Sequence, residues 1–265
     1  MRPMNIAHRG GAQLMAENTL AAFADALARG CDGVELDVQL SRDGAVVVHH
    51  DFRLMKDVAR KDGAWLAAPG PRIKDLTLEG LRQFDVGWPR PGSDYCLGHH
   101  LLKPTHASVP TLDEVVLLAK GAGRRFLLFV ELKCDTSEDS ADPQALADAA
   151  LEVVQRADYL GDTIFVGFDW RALMQVRERD PSAARWFTTN KLHGDAHAVI
   201  DRIAAAGAQG WFAKFPDASF DIVAHARERG LKIGTWTVNR RDDIERLKDL
   251  DAICTDRPDL LQSLK

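Results

Sequence analysis

Glu35 and Asp37 stand two apart in Gly33-Val34-Glu35-Leu36-Asp37-Val38, a spacing that turns both carboxylates to one face of an extended strand. Two carboxylates aimed at one point repel each other unless a cation sits between them. The intervening Val34, Leu36 and Val38 are apolar, so the other face must be covered too, and a merely solvated strand explains the pattern poorly. Glu131 and Lys133 repeat the spacing on what reads as the next parallel strand. Three carboxylates from neighbouring strands form a hard, oxygen-rich site suited to Mg²⁺ or Ca²⁺.

A second group of residues has the chemistry of phosphate. His8 follows a short apolar run and leads into Arg9, Gly10 and Gly11. The arginine can hold a phosphate through two parallel hydrogen bonds, and the glycines let the backbone approach a ligand closely. His50 lies at the end of a second run that begins at Val46. A lone histidine at a strand end is more often structural than catalytic. Two of them across a phosphate can act as general acid and base, because both protonation states are accessible near neutral pH. His49 alternates to the opposite face and is expected to stay out of the chemistry. His99, His100, His106, His193, His197 and His225 lie in irregular or helical stretches and receive no role. Trp236, near the end of a late strand, is suited to pack the carbon backbone of a polyol.

These residues need a scaffold that brings distant strands to one rim. Short apolar runs begin near residues 5, 33, 126, 164, 185, 211, 232 and 252, and helical patterns separate most of them. Asn18 to Arg29 reads as a helix, with Leu20, Phe23, Ala24 and Leu27 on one face and Gly30 as its stop. Further helices are expected over 144–157, 170–178, 196–206, 220–229 and 242–247. Ser41-Arg42-Asp43-Gly44 makes a hairpin turn that returns through Val46-Val47-Val48. Eight strand-helix units predict an α/β chain built as a (β/α)₈ TIM barrel, with a doubly wound sheet as the alternative. The whole of 1–265 reads as one catalytic domain. The segment at about 52–109 breaks the rhythm: it holds five of the eleven prolines and two exposed-looking aromatics, Trp65 and Trp88. It is too long for a connecting loop and reads as a small insertion after the second-strand hairpin, helical only over 77–84.

Composition narrows the function. Formal net charge is −5 with acids and bases interspersed, so a broad nucleic-acid surface is not expected. Cys31, Cys96, Cys134 and Cys254 are too scattered for a zinc cluster or a disulfide framework, which fits a reducing compartment. No run of about 18 apolar residues predicts a membrane span, and the first eight residues hold no signal-peptide core, so the expected location is the cytoplasm.

In order along the chain, His8-Arg9-Gly10, Glu17-Asn18-Thr19, Glu35-Leu36-Asp37-Val38, His50-Asp51, Glu131-Leu132-Lys133, Thr235-Trp236-Thr237-Val238-Asn239 and Thr255-Asp256-Arg257-Pro258 resemble the motifs of the glycerophosphodiester phosphodiesterase family. The resemblance covers nearly the whole chain. It implies a metal-dependent hydrolase that turns a glycerophosphodiester and water into an alcohol and sn-glycerol 3-phosphate. It implies a divalent ion, Mg²⁺ or Ca²⁺, on Glu35, Asp37 and Glu131. It matches His8 and His50 to the family's acid/base pair, and Arg9 and Lys133 to its phosphate contacts. Either histidine can be the acid, and either water or the substrate's own hydroxyl can attack.

Two departures stand out. Ala16 replaces the proline usual before Glu-Asn-Thr, and Leu54-Met55-Lys56-Asp57-Val58 replaces a Leu-x-Arg-Thr-Thr run, which bears on substrate range. Relatives that release lysophospholipid or sphingolipid head groups are the alternative reading. A non-catalytic binding barrel would be expected to lose a histidine or a carboxylate, and all are present.

Overall fold

Period-two apolar runs become eight parallel strands that close on themselves. Residues 2–137 and 139–263 are described in the computed structural model. The strands in chain order are β1 (Met4–Ala7), β2 (Gly33–Leu40), β3 (Val46–Val48), β4 (Arg60–Lys61), β5 (Ala64–Trp65), β6 (Leu127–Leu132), β7 (Thr163–Gly167), β8 (Ala184–Thr189), β9 (Gly210–Lys214), β10 (Lys232–Trp236) and β11 (Ala252–Thr255). Around the ring the order is β1, β2, β6, β7, β8, β9, β10, β11, with every neighbour parallel. Ile6 opposite Gly33 and Met4 opposite Ala252 join β1 to β2 and to β11, which closes the barrel. β3 adds antiparallel to β2 on the outside of this ring, with Val38 opposite Val48. The expected TIM barrel is the observed fold, and the doubly wound alternative is excluded by that closure.

The α-helices are α1 (Leu20–Ala28), α2 (Leu78–Leu81), α3 (Asp94–Gly98), α4 (Leu112–Lys120), α5 (Pro143–Arg156), α6 (Trp170–Arg179), α7 (Ala196–Ala205), α8 (Phe220–Glu228), α9 (Arg241–Arg246) and α10 (Pro258–Gln262). None of those described is long and apolar enough to cross a membrane. Three were not expected: α3, α4 and α10. Their start signals are nonetheless local. Ser93 caps α3, Pro258 opens α10, and Thr111 with Glu114 closes a capping box on α4. Trp65 and Trp88, which look exposed in sequence, are half-buried: the Trp65 indole donates to the Trp88 carbonyl at 2.9 Å, and the Arg60 guanidinium lies over both rings.

Strand alternation makes two apolar layers. Val34, Leu36, Val38, Leu128 and Val130 face outward under the helices. Ile6, Phe129, Ile164, Val166, Trp186 and Phe212 fill the barrel centre, where Trp186 meets Phe129 edge-on. Glu35, Asp37 and Glu131 share the inward parity but lie nearer the C-terminal rim, beyond the apolar plug. A third cluster, with Leu54, Ile73, Leu81, Phe84 and Val109, packs the segment between β3 and α4 against Val47.

The turn after β1 is where backbone freedom matters most. Arg9, Gly10 and Gly11 all adopt positive φ, at 51°, 86° and 98°. A Cβ on Gly10 would also stand 2.6 Å from the Ala22 Cβ. Gly10→Ala is therefore expected to lower stability by roughly 2 kcal/mol, from left-handed strain plus overpacking. Urea unfolding checks this, and an unchanged midpoint would contradict it.

Candidate active site

Asp37 lies directly opposite Glu131 in the β2–β6 ladder, and Glu35 points the same way one pleat deeper. Glu35 and Asp37 are each 1% exposed. One oxygen from each of the three carboxylates falls within 4.8 Å of the others, the only such triad of potential ligands among the described residues. Burial, and then the neighbouring Asp37, push the Glu35 carboxyl above its ordinary range. Burial would push Asp37 up too, but Arg9 foremost, with His50, Lys133 and Asn18, holds it well below. Glu35 Oε1 is buried with no hydrogen-bond partner among the described residues. An orphaned carboxylate oxygen beside two more carboxylates is a donor set that fits a hard divalent cation.

Basic groups crowd the same point. Arg9 donates its backbone N–H to Glu35 at 3.1 Å and its guanidinium to Glu17 at 2.9 Å, and its Nε stands 3.2 Å from Asp37. Lys133 Nζ lies 3.0 Å from Glu131 and 3.9 Å from Asp37. Burial works against both cations, yet the carboxylates hold each above its ordinary value, so both stay charged. The Glu17-Asn18-Thr19 run divides the supporting work. Glu17 takes Arg9, Asn18 Nδ2 donates to Asp37 at 2.8 Å, and Thr19 caps α1. Asn18 sits at φ 55°, so a left-handed backbone aims its amide. Ala16 offers only its carbonyl, to the Thr19 hydroxyl.

His8 is held from the far end of the chain. Its Nδ1 lies 2.6 Å from Asp256 Oδ1, and Asn239 Nδ2 donates to the other oxygen at 2.7 Å. That leaves Nε2 facing the carboxylates, 3.8 Å from Glu35. Burial disfavours the imidazolium, but Asp256 overrides it and lifts the group to about 9. In the sequence, Asp256 and Asn239 stand out only as parts of motifs. The local signal for Asp256 is an acid directly after the last barrel strand, at the inward parity of Ala252 and Cys254.

His50 makes the same kind of pair, Nδ1 to Asp51 Oδ1 at 2.6 Å, but with its own chain neighbour. Its loop is fixed by buried Gln39, whose amide donates to the carbonyls of His49 at 2.7 Å, His50 at 3.3 Å and Asp51 at 2.8 Å. His49 is buried on the other side, and its N–H donates to the Asp37 carbonyl at 2.9 Å. Tyr95 is another residue the sequence did not flag: its hydroxyl donates to Glu17 at 2.9 Å and so ties α3 to the arginine's partner. His99 hydrogen-bonds the Tyr95 carbonyl, His106 pairs with Asp85, and His197 on α7 meets His225 on α8 edge-on.

Trp236 stands across the mouth. Its indole donates to the Phe212 carbonyl at 3.2 Å, Phe168 meets it edge-on, and Lys214 lies 5.9 Å from its centroid. The site thus has an ionic side on β1, β2 and β6 and an aromatic side on β10.

The chain is similar to known proteins over nearly its whole length. Residues 8–260 match the glycerophosphoryl diester phosphodiesterase family. The chain is 29% identical over its full length to a glycerophosphodiester phosphodiesterase of Caldanaerobacter subterraneus, 98% of which is covered. A crystal structure from Silicibacter pomeroyi bearing the same family name superposes with a TM-score of 0.90 at 31% identity, over 97% of this chain and 91% of that one. A phosphodiesterase of Oleispira antarctica, solved with the product sn-glycerol-3-phosphate, superposes at 0.79 with 26% identity, over 99% and 96%.

The His8–Asp256 pair has a signature in pH. A value raised from 6.5 to about 9 on folding contributes stability that is complete below pH 6.5 and lost as pH rises through 9. Glu35, raised from 4.5 to about 8, works in the same sense over a window that begins lower and overlaps this one. In chelator, urea stability is expected to fall across that window. Asp256→Asn should flatten the fall between 6.5 and 9; an identical slope in the variant would break the assignment.

Proposed function

The chain belongs to the glycerophosphoryl diester phosphodiesterase family and is a glycerophosphodiester phosphodiesterase; from this premise we propose that it cleaves its substrates to an alcohol and sn-glycerol 3-phosphate in a metal-dependent reaction. The observation that carries the metal is the triad of Glu35, Asp37 and Glu131, with its buried, unpartnered oxygen. Those three residues would hold Mg²⁺ or Ca²⁺. When bound, the ion supplies Lewis-acid stabilisation of charge on the phosphoryl group.

The other roles follow from where the side chains are held. Arg9 and Lys133, charged and pinned beside the triad, neutralise the phosphate as its negative charge grows. His8 and His50 each have Nδ1 occupied by an aspartate, so each offers Nε2 for proton transfer. One protonates the departing alkoxide, which is a poor leaving group without a proton. The other takes the proton from the attacking oxygen. Trp236 packs the glycerol carbons. We read 1–265 as a single catalytic unit acting on a small molecule, not on nucleic acid, in the cytoplasm, with the segment at about 52–109 as a cap on its His50 side.

Chelation is expected to abolish activity and Mg²⁺ or Ca²⁺ to restore it, with Glu35→Gln and Asp37→Asn weakening metal binding in titration calorimetry. Full turnover in excess chelator would overturn the metal reading. His8→Ala and His50→Ala should each lower kcat by about 10²- to 10⁴-fold. A p-nitrophenyl ester, whose leaving group needs no proton, should rescue whichever variant lacks the acid. If it rescues neither, the histidines bind phosphate and do not transfer protons. Arg9→Ala should lower kcat as well as raise KM, and Trp236→Ala should mainly raise KM for glycerol esters.

A further inference from the structure

A cavity of about 500 Å³ opens beside His50 and Lys133, outside the carboxylate triad. Phe52, Met55, Pro69 and Tyr95 give it an apolar side, and Lys56 and Asp57, where this chain departs from the family's usual run, also line it. Charged groups also reach it, each with a partner: Lys133 is held from outside the cavity by Glu131 and Asp37, and the others pair along its wall. Arg53 is bidentate with Asp139 at 2.8 and 3.0 Å, Lys56 holds Asp57 at 2.9 Å, and Asp51 holds His50 at 2.6 Å. Each carboxylate that reaches the cavity therefore already has a basic partner.

Its position sets which part of a substrate reaches it. Four steps around an eight-stranded ring separate β6 from β10, so Lys133 and Trp236 face each other across the mouth. A phosphodiester centred between them sends its two ester arms in opposite directions. With glycerol against Trp236, the other arm enters the cavity past His50. This rests on the reading of the reaction and of Trp236 above.

We propose that this cavity is the subsite for the leaving alcohol and that it favours an uncharged alcohol with an extended apolar body over ethanolamine or choline. A neutral apolar arm gains burial there, whereas a cationic head group loses hydration, meets the Lys133 ammonium and finds only carboxylates already engaged by basic partners. The bond that breaks is the phosphorus–oxygen bond to this alcohol, which leaves with one proton, while water's oxygen and remaining hydrogen end on the phosphate of glycerol phosphate.

The test is a series of glycerophosphodiesters of ethanol, butanol and hexanol, with the ethanolamine and choline esters alongside, assayed with Mg²⁺ for release of glycerol phosphate. The three alkanols have similar leaving-group basicity, so differences report binding. Complete burial of each added methylene corresponds to about fourfold in kcat/KM. The expected result is a rise of at least tenfold from ethyl to hexyl, with both cationic esters below butyl. Met55→Glu should reduce the hexyl-to-ethyl ratio, and Met55→Gln, which keeps the volume without the charge, should reduce it less. A flat or falling series, or a choline ester that outruns hexyl, overturns the subsite while leaving the reaction intact. No hydrolysis of any ester overturns the reaction and the subsite together.

Discussion

Asp37 opposite Glu131, with Glu35 beneath, brings three carboxylates together at one point, two of them fully buried. Charges that close cost several kcal/mol each to bury, and mutual repulsion adds to that. Much of the surrounding structure answers this one constraint. Arg9 and Lys133 lean on the carboxylates, Asn18 donates to Asp37, and the Arg9 backbone donates to Glu35. Both basic residues thus face two demands, the carboxylates and, in the proposed reaction, the phosphate.

The supporting contacts come from elements far apart in the chain. Asp256 and Asn239, at the ends of β11 and β10, orient His8 at the end of β1. Gln39 on β2 gathers three carbonyls of the His50 loop. Glu17 receives Arg9 from one side and Tyr95 from the other, so α3 and the barrel rim share a partner. Arg9 and Asn18, neither of them glycine, hold left-handed backbones, and the contacts their side chains make offset that strain. The histidines differ in how they are held: His8 depends on barrel closure for its aspartate, whereas His50 carries its own.

Local pattern made much of this legible. The alternation of Val34, Leu36 and Val38 with Glu35 and Asp37 marks a strand covered on both faces. The beginnings of all eight parallel strands can be read from such runs to within a residue. Helices were harder when short: α3 and α10 have five residues each, too few to show a face, and α4 announces itself chiefly through its capping box. Trp65 and Trp88 look exposed in a proline-rich stretch because nothing local says that Arg60 lies over both rings.

The sequence by itself determined the strand periodicity, the order of the units and which carboxylates, histidines and cations share inward parity, because side-chain direction along a strand depends only on the residue count. Only the tertiary structure decided that Asp37 stands level with Glu131, that Asp256 meets His8 from 248 positions away, and that Trp236 faces Lys133 across the mouth. Those depend on how strands slide against each other and on closure of β1 onto β11. Both are set by packing of the whole barrel, which no local stretch of residues encodes.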